Sequence, residues 1–149
     1  MKKLFFLAFI ACAASCSSAG DSDAALGDPN DITDKYWLLV ELNGSMVEQD
    51  TTRHVSAHMI FKKGENKFNG NTGCNTMVGT YELPAGDGLK LSDIISTKMA
   101  CMDNMQLEAD FLGALNRADS YVIVGDTLVL NRARMAPLAR FTRELIKIR

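Results

Sequence analysis

The run NGNTGCNTMVGTY, residues 69–81, sets a cysteine among glycines and asparagines, and that combination has several chemical readings. Gly70, Gly73 and Gly79 could expose backbone N–H groups to a phosphate. A phosphate-binding loop, however, needs a lysine and a Ser or Thr after its last glycine and a helix opening behind them, and here a strand pattern follows. Cys74 as a nucleophile would need its pKa lowered by a neighbouring histidine or a helix N-terminus. Cys101 does precede a helical pattern, but the chain has no C-x-x-C pair. The two histidines, His54 and His58, are four apart in a segment with period-2 hydrophobicity, which separates them by about 13 Å, too far to share one ion. They are expected on an exposed outer face. The carboxylates form no catalytic pair; Asp103 and Glu108 read as a helix cap and a helix-surface residue. No metal or cofactor is expected. What remains for the glycine-rich run is a tight turn, its glycines and asparagines accepting positive φ.

The elements around that turn follow from hydrophobic periodicity. YWLLVEL, 36–42, is a strand, and Asn43-Gly44 turns it. HVSAHMIFKK, 54–63, is a second, with Val55, Ala57, Met59 and Phe61 on one face. KFNG starts a third, residues 78–83 form a fourth, and LKLSDIISTKM carries one or two more. DNMQLEADFLGALNRA is an amphipathic helix with Asp103 as N-cap and Gln106 completing a capping box. Leu107, Phe111, Leu115 and Ala118 make its apolar stripe, widened by Leu112. SYVIV and TLVLN form a hairpin about Gly125-Asp126, and LARFT is a final strand. One helix cannot supply the alternation that a parallel sheet requires. The fold class is therefore α+β, mainly β: an antiparallel, partly closed β-barrel-like sheet with one packed α-helix.

The N-terminus differs from the rest. Met1-Lys2-Lys3 is positive, residues 4–14 are apolar, and AASC ends at Cys16. This is the pattern of a bacterial lipoprotein signal over residues 1–15, with Cys16 as the lipidated residue and Cys12 as its rival. Residues 16–34, rich in Ser, Gly, Ala and Asp, read as a flexible tether, and residues 35–149 as the folded domain. Acyl chains would hold the protein on a membrane. With a net charge of −2 and no basic stripe with interleaved aromatics, the chain is not expected to bind nucleic acid. No apolar run reaches the ~20 residues of a spanning helix. Cys74 and Cys101 would face an oxidising compartment, where a free pair is a liability, so a disulfide between them is expected. Its chain-entropy contribution is roughly 3–4 kcal/mol.

Taken together, Trp37, the run Asn69-Gly70-x-x-Gly73-Cys74-Asn75-x-x-x-Gly79-x-Tyr81, the run Thr97-x-Met99-Ala100-Cys101, Glu108 early in the helix and the hairpin GDTLVL resemble the META, or HslJ-like, domain. The similarity covers residues 35–141. It implies a small antiparallel β-barrel-like domain with one helix, in a family whose members are often envelope lipoproteins or linked to heat shock. The expected function is a non-enzymatic, lipid-anchored module of a bacterial envelope, on the periplasmic face or the cell surface. It would serve binding or stress protection and engage an envelope protein or lipid. Two alternatives stand beside it: a carrier of a small hydrophobe, suited by Met99, Met102, Met105 and Met135, and an inhibitor of a wall-degrading hydrolase. A basic C-terminal stretch, with Arg132, Arg134, Arg140, Arg143, Lys147 and Arg149, is a candidate contact surface for polyanions.

Overall fold

The computed structural model describes residues 31–49, 55–101, 105–133 and 135–144. Nine strands and one helix follow in chain order: β1 Tyr36–Leu42, β2 Ser45–Met46, β3 His58–Lys62, β4 Lys67–Asn71, β5 Thr76–Glu82, β6 Lys90–Ser96, α1 Met105–Arg117, β7 Ser120–Val124, β8 Thr127–Asn131 and β9 Ala139–Glu144. Eight strands form one antiparallel path, β6-β5-β4-β3-β1-β9-β8-β7, and the short β2 pairs with β1. The first and last of these strands are thus neighbours, which sews the two meanders into one sheet. The sheet curls into a half-barrel. Its far edges meet at one end, where Leu89 N–H donates to Asp119 O and Tyr121 N–H to Asp87 O, each at 2.9 Å. Helix α1 bridges β6 to β7 in sequence and packs against β6 and β1.

Alternation along each strand fills the interior. Trp37, Leu39, Met59, Phe61, Phe68, Met77, Leu128, Leu130 and Phe141 are buried there, and α1 adds Phe111, Ala114 and Leu115. The apolar stripe read from the helix sequence points inward as expected; Phe111 meets Phe141 at 5.9 Å between ring centroids. The interior is therefore packed with side chains. Met99, Met105 and Met135 lie on the surface. Asp103, Met102 and His54 lie outside the described residues, as do Cys12 and Cys16.

Several expectations need correction. Gly70 and Gly79 do not serve a turn; both sit inside strands, in β4 and β5. The reason is close approach. A Cβ on Gly70 would come within 2.1 Å of the His58 carbonyl oxygen, and one on Gly79 within 2.6 Å of the Phe68 ring. Only Gly73 of the three has positive φ, +90°. The run at 69–81 is thus a hairpin, β4-β5, with a short turn at 72–75, rather than a long loop. β3 is shorter than its pattern, starting at His58, and Val55 is exposed. His58 lies on the outer face as expected but is half-buried rather than exposed: its ring stacks on Tyr36 at 4.3 Å. The folded unit also begins before residue 35. Ile32 is fully buried, Thr33 bridges Phe61, and the Trp37 indole N–H donates to Ile32 O at 2.8 Å. A buried indole needs such a partner, so Trp37 draws residues 31–34 out of the tether and into the domain.

Candidate functional site: the Asn75 clamp

The turn at 72–75 is built by its own side chains. Gly73 N–H donates to Asn71 Oδ1 at 2.8 Å, and Asn75 N–H to Thr72 Oγ1 at 2.9 Å. Thr72 N–H returns to Asn75 O at 2.8 Å. This closed local geometry delivers the Asn75 side chain, 2% exposed, into the space between β5, the chain leaving β6 and the start of α1. There Asn75 Oδ1 accepts from Met99 N–H at 2.7 Å and from the Thr97 hydroxyl at 2.8 Å. Asn75 Nδ2 donates to Met99 O at 3.1 Å and to Glu108 Oε2 at 2.7 Å. The amide orientation is fixed by chemistry, because a backbone N–H can only donate and a backbone carbonyl can only accept. Glu108 is engaged at its other oxygen too, by the Ser96 hydroxyl at 3.3 Å.

Beside this hub, Cys74 and Cys101 form a disulfide with Cα atoms 5.9 Å apart, closing a sequence separation of 27. Five of the residues singled out from sequence, Cys74, Asn75, Thr97, Cys101 and Glu108, therefore meet in one clamp across three elements. Glu108 is a correction: it is a half-buried member of the clamp and not a plain helix-surface residue. Trp37, Gly70, Gly79 and Tyr81 lie apart from it and shape the barrel. Tyr81 packs edge-on against Phe61, and its hydroxyl donates to Lys62 O at 3.1 Å. Burial pushes the Tyr81 pKa up, and the charges of Asp31 and Asp34 push the same way. Asn69 is placed on the outer face, away from the clamp.

Sequence reasoning missed three clamp members. Thr72, Ser96 and the Met99 backbone act through main-chain or hydroxyl groups that periodicity does not mark. Beside the clamp lies an open cleft of about 380 Å³, whose lining includes Thr97, Met99, Ala100, Met105, Glu108 and Ala109. Two of its wall residues, Met99 and Met105, are 63% and 61% exposed. Among the described residues no group of three or more His, Cys, Asp or Glu side chains is placed to hold a metal ion. The basic C-terminal surface is partly neutralised: Arg140 pairs with Glu41 at 3.2 Å and Arg143 with Asp126. Arg134, Lys147 and Arg149 lie outside the described residues.

An α+β half-barrel with one helix, strapped at its glycine-cysteine hairpin, defines a class, and comparison names it. The META domain profile matches residues 30–145, and the chain belongs to the META domain family. A solution structure of a protein from Burkholderia xenovorans superposes with a TM-score of 0.61 at 23% identity, covering 84% of this chain and 96% of that one. A second solution structure gives 0.58 at 20% identity, covering 80% and 96%. The crystal structure of a DUF4847 family protein from Bacteroides vulgatus gives 0.52 at 19% identity, covering 74% and 93%. These likenesses concern the fold. No curated protein matches the chain.

Proposed function

We propose that this META domain is a lipid-anchored binding or stress-protective module of a bacterial envelope, tethered through Cys16 and acting by engaging an envelope partner rather than by catalysis. One observation carries the reading: the polar side chains of the clamp are spent on one another. Both polar atoms of the Asn75 amide and both carboxylate oxygens of Glu108 are hydrogen-bonded within the clamp. A fully satisfied buried network of this kind rigidifies a scaffold. What the molecule then offers outward is shape and charge, in surface clefts on a fixed frame. The lipoprotein-like N-terminal pattern supports the anchor, and a disulfide suits an oxidising envelope.

Proximity labelling and cross-linking on intact cells test the proposal, comparing the native protein with Cys16→Ser. A discrete envelope partner enriched with the anchored form and lost with the variant is the expected result. Equal capture by both forms, or recovery of abundant neighbours alone, would contradict it.

A further inference from the structure

Every motif residue but one has a structural task. Trp37 ties down residue 32, Gly70 and Gly79 permit close approach, Tyr81 caps Phe61, and the rest build the clamp. Asn69 is the remainder. Its Oδ1 is buried and has no hydrogen-bond partner among the described residues. Asn69 stands on the outer face of the β3-β4-β5-β6 meander, in a cross-strand row Ile60–Asn69–Val78–Ile95. The neighbouring row is Lys62–Lys67–Thr80–Ser92. Between the two rows β6 carries one extra residue, and Asp93, at φ +51°, takes up the irregularity. A cleft of about 470 Å³ opens here, lined among others by Lys62, Glu65, Lys67, Asn69, Val78 and Asp93.

This lining is unusual for a surface that only faces water. Lys62 and Lys67 are directly opposite on adjacent strands, an arrangement in which like charges repel. Neither is ion-paired with a described residue. Two carboxylates, Glu65 and Asp93, share the cleft, and Asp93 accepts from the Thr80 hydroxyl at 3.2 Å. Val78, 48% exposed, supplies an apolar wall. Two cations without an ion-pair partner among the described residues, two anions and an apolar wall within one concavity complement a ligand that carries both signs of charge.

We propose that this cleft binds a small zwitterion, its anionic group between Lys62 and Lys67 and its ammonium beside the Asp93 carboxylate. The chemistry is shared by a free amino acid and by a phosphoethanolamine head group. The inference rests on the binding-module reading and gives it a ligand; an inert cleft would remove this site while leaving partner capture in cells untouched.

The test titrates leucine and phosphoethanolamine, separately, into the isotope-labelled full chain and follows backbone amide shifts. Saturable shifts at Lys67, Asn69, Val78 and Thr80 with one probe or both support the site, and the probe that binds identifies the source of the ligand. Ethylamine and acetate, each carrying half of the zwitterion, should bind about tenfold more weakly. Lys62→Gln with Lys67→Gln, and separately Asp93→Asn, should each weaken binding about tenfold. The lysine changes alter outward side chains and leave the core intact. No saturable shift with either probe, half-ligands binding as well as zwitterions, or binding undiminished in either variant would overturn the proposal.

Discussion

Asn75 shows how one side chain can hold three segments. Its amide faces a backbone N–H, a backbone carbonyl, a hydroxyl and a carboxylate, and each is matched in polarity. Truncation would leave several of these groups buried without partners, and each orphan costs about 1–3 kcal/mol. Asn75→Ala should therefore lower unfolding free energy by about 3 kcal/mol or more, read from denaturant midpoints at unchanged slope. Asn75→Asp conserves shape but turns a carboxylate toward Met99 O and Glu108. It should be at least as destabilising at neutral pH and recover partly in acid, where a protonated carboxyl can donate again; a variant equally stable at both pH values would speak against the assigned orientation. Gly70→Ala belongs to the same scale. The added methyl meets a backbone carbonyl that cannot rotate away, so a loss of about 2 kcal/mol or more in thermal or denaturant unfolding is expected. The sequence marked Asn75, Gly70 and Gly79 as notable but gave the wrong reason for the glycines. Turn chemistry and close strand approach both select glycine, and only the folded register distinguishes them.

At the scale of elements, the disulfide and the Asn75 network fasten the same junction, where β5, the exit of β6 and the entry to α1 converge. Constraint of the unfolded chain makes the disulfide worth roughly 3–4 kcal/mol, so Cys74→Ser with Cys101→Ser should lower the thermal midpoint by ten degrees or so, about what that energy implies for a domain of this size. Because the hydrogen bonds persist without the bridge, the reduced protein should still show the wild-type amide spectrum away from 72–76 and 97–108. Collapse of the whole spectrum would mean that the hydrogen bonds alone do not hold the junction. The elements themselves were largely legible. The strands at 36–42, 120–124 and 127–131 follow from alternating apolar residues and two-residue turns: Asn43 and Gly44 both adopt positive φ, and Gly125 does so at +59°. The start of β3 was not legible. Val55 continues the period-2 pattern but lies beyond the sheet that would have covered it. The outer cleft was also invisible in sequence, since Lys62, Asn69 and Asp93 become neighbours only through cross-strand register and the irregularity in β6.

On the scale of the whole molecule, the N-terminal segment 31–34 latches onto the barrel and makes stability sensitive to acid. Burial works against ionisation of Asp31, but hydrogen bonds from the Thr33 hydroxyl and amide and from Lys63 outweigh it, and the carboxyl is held down at about 2 against an ordinary 3.8. A carboxyl depressed in the folded state stabilises above its unfolded pKa, and that stability drains as pH falls from about 4 toward 2. Asp31→Asn should remove this part of the acid dependence in denaturant titrations between those pH values, while an unchanged profile would place the acid sensitivity elsewhere. The latch was hidden in the sequence because Asp31, Thr33 and Asp34 have tether composition; the burial of Ile32 and the needs of the Trp37 indole decide the matter. With the latch closed, the sheet sewn at β1 and β9, and the hairpin clamped to the helix, the domain is a rigid frame whose clefts face outward. The clamp is the core of that account, and the Met99 amide reports on it directly. Its side chain is 63% exposed, yet its N–H is bound to a buried acceptor at 2.7 Å. Hydrogen exchange of this amide should occur only with global unfolding in the native protein and become orders of magnitude faster in Asn75→Ala. Exchange at the rate of an open loop in the native protein, or protection unchanged by the substitution, would contradict the clamp.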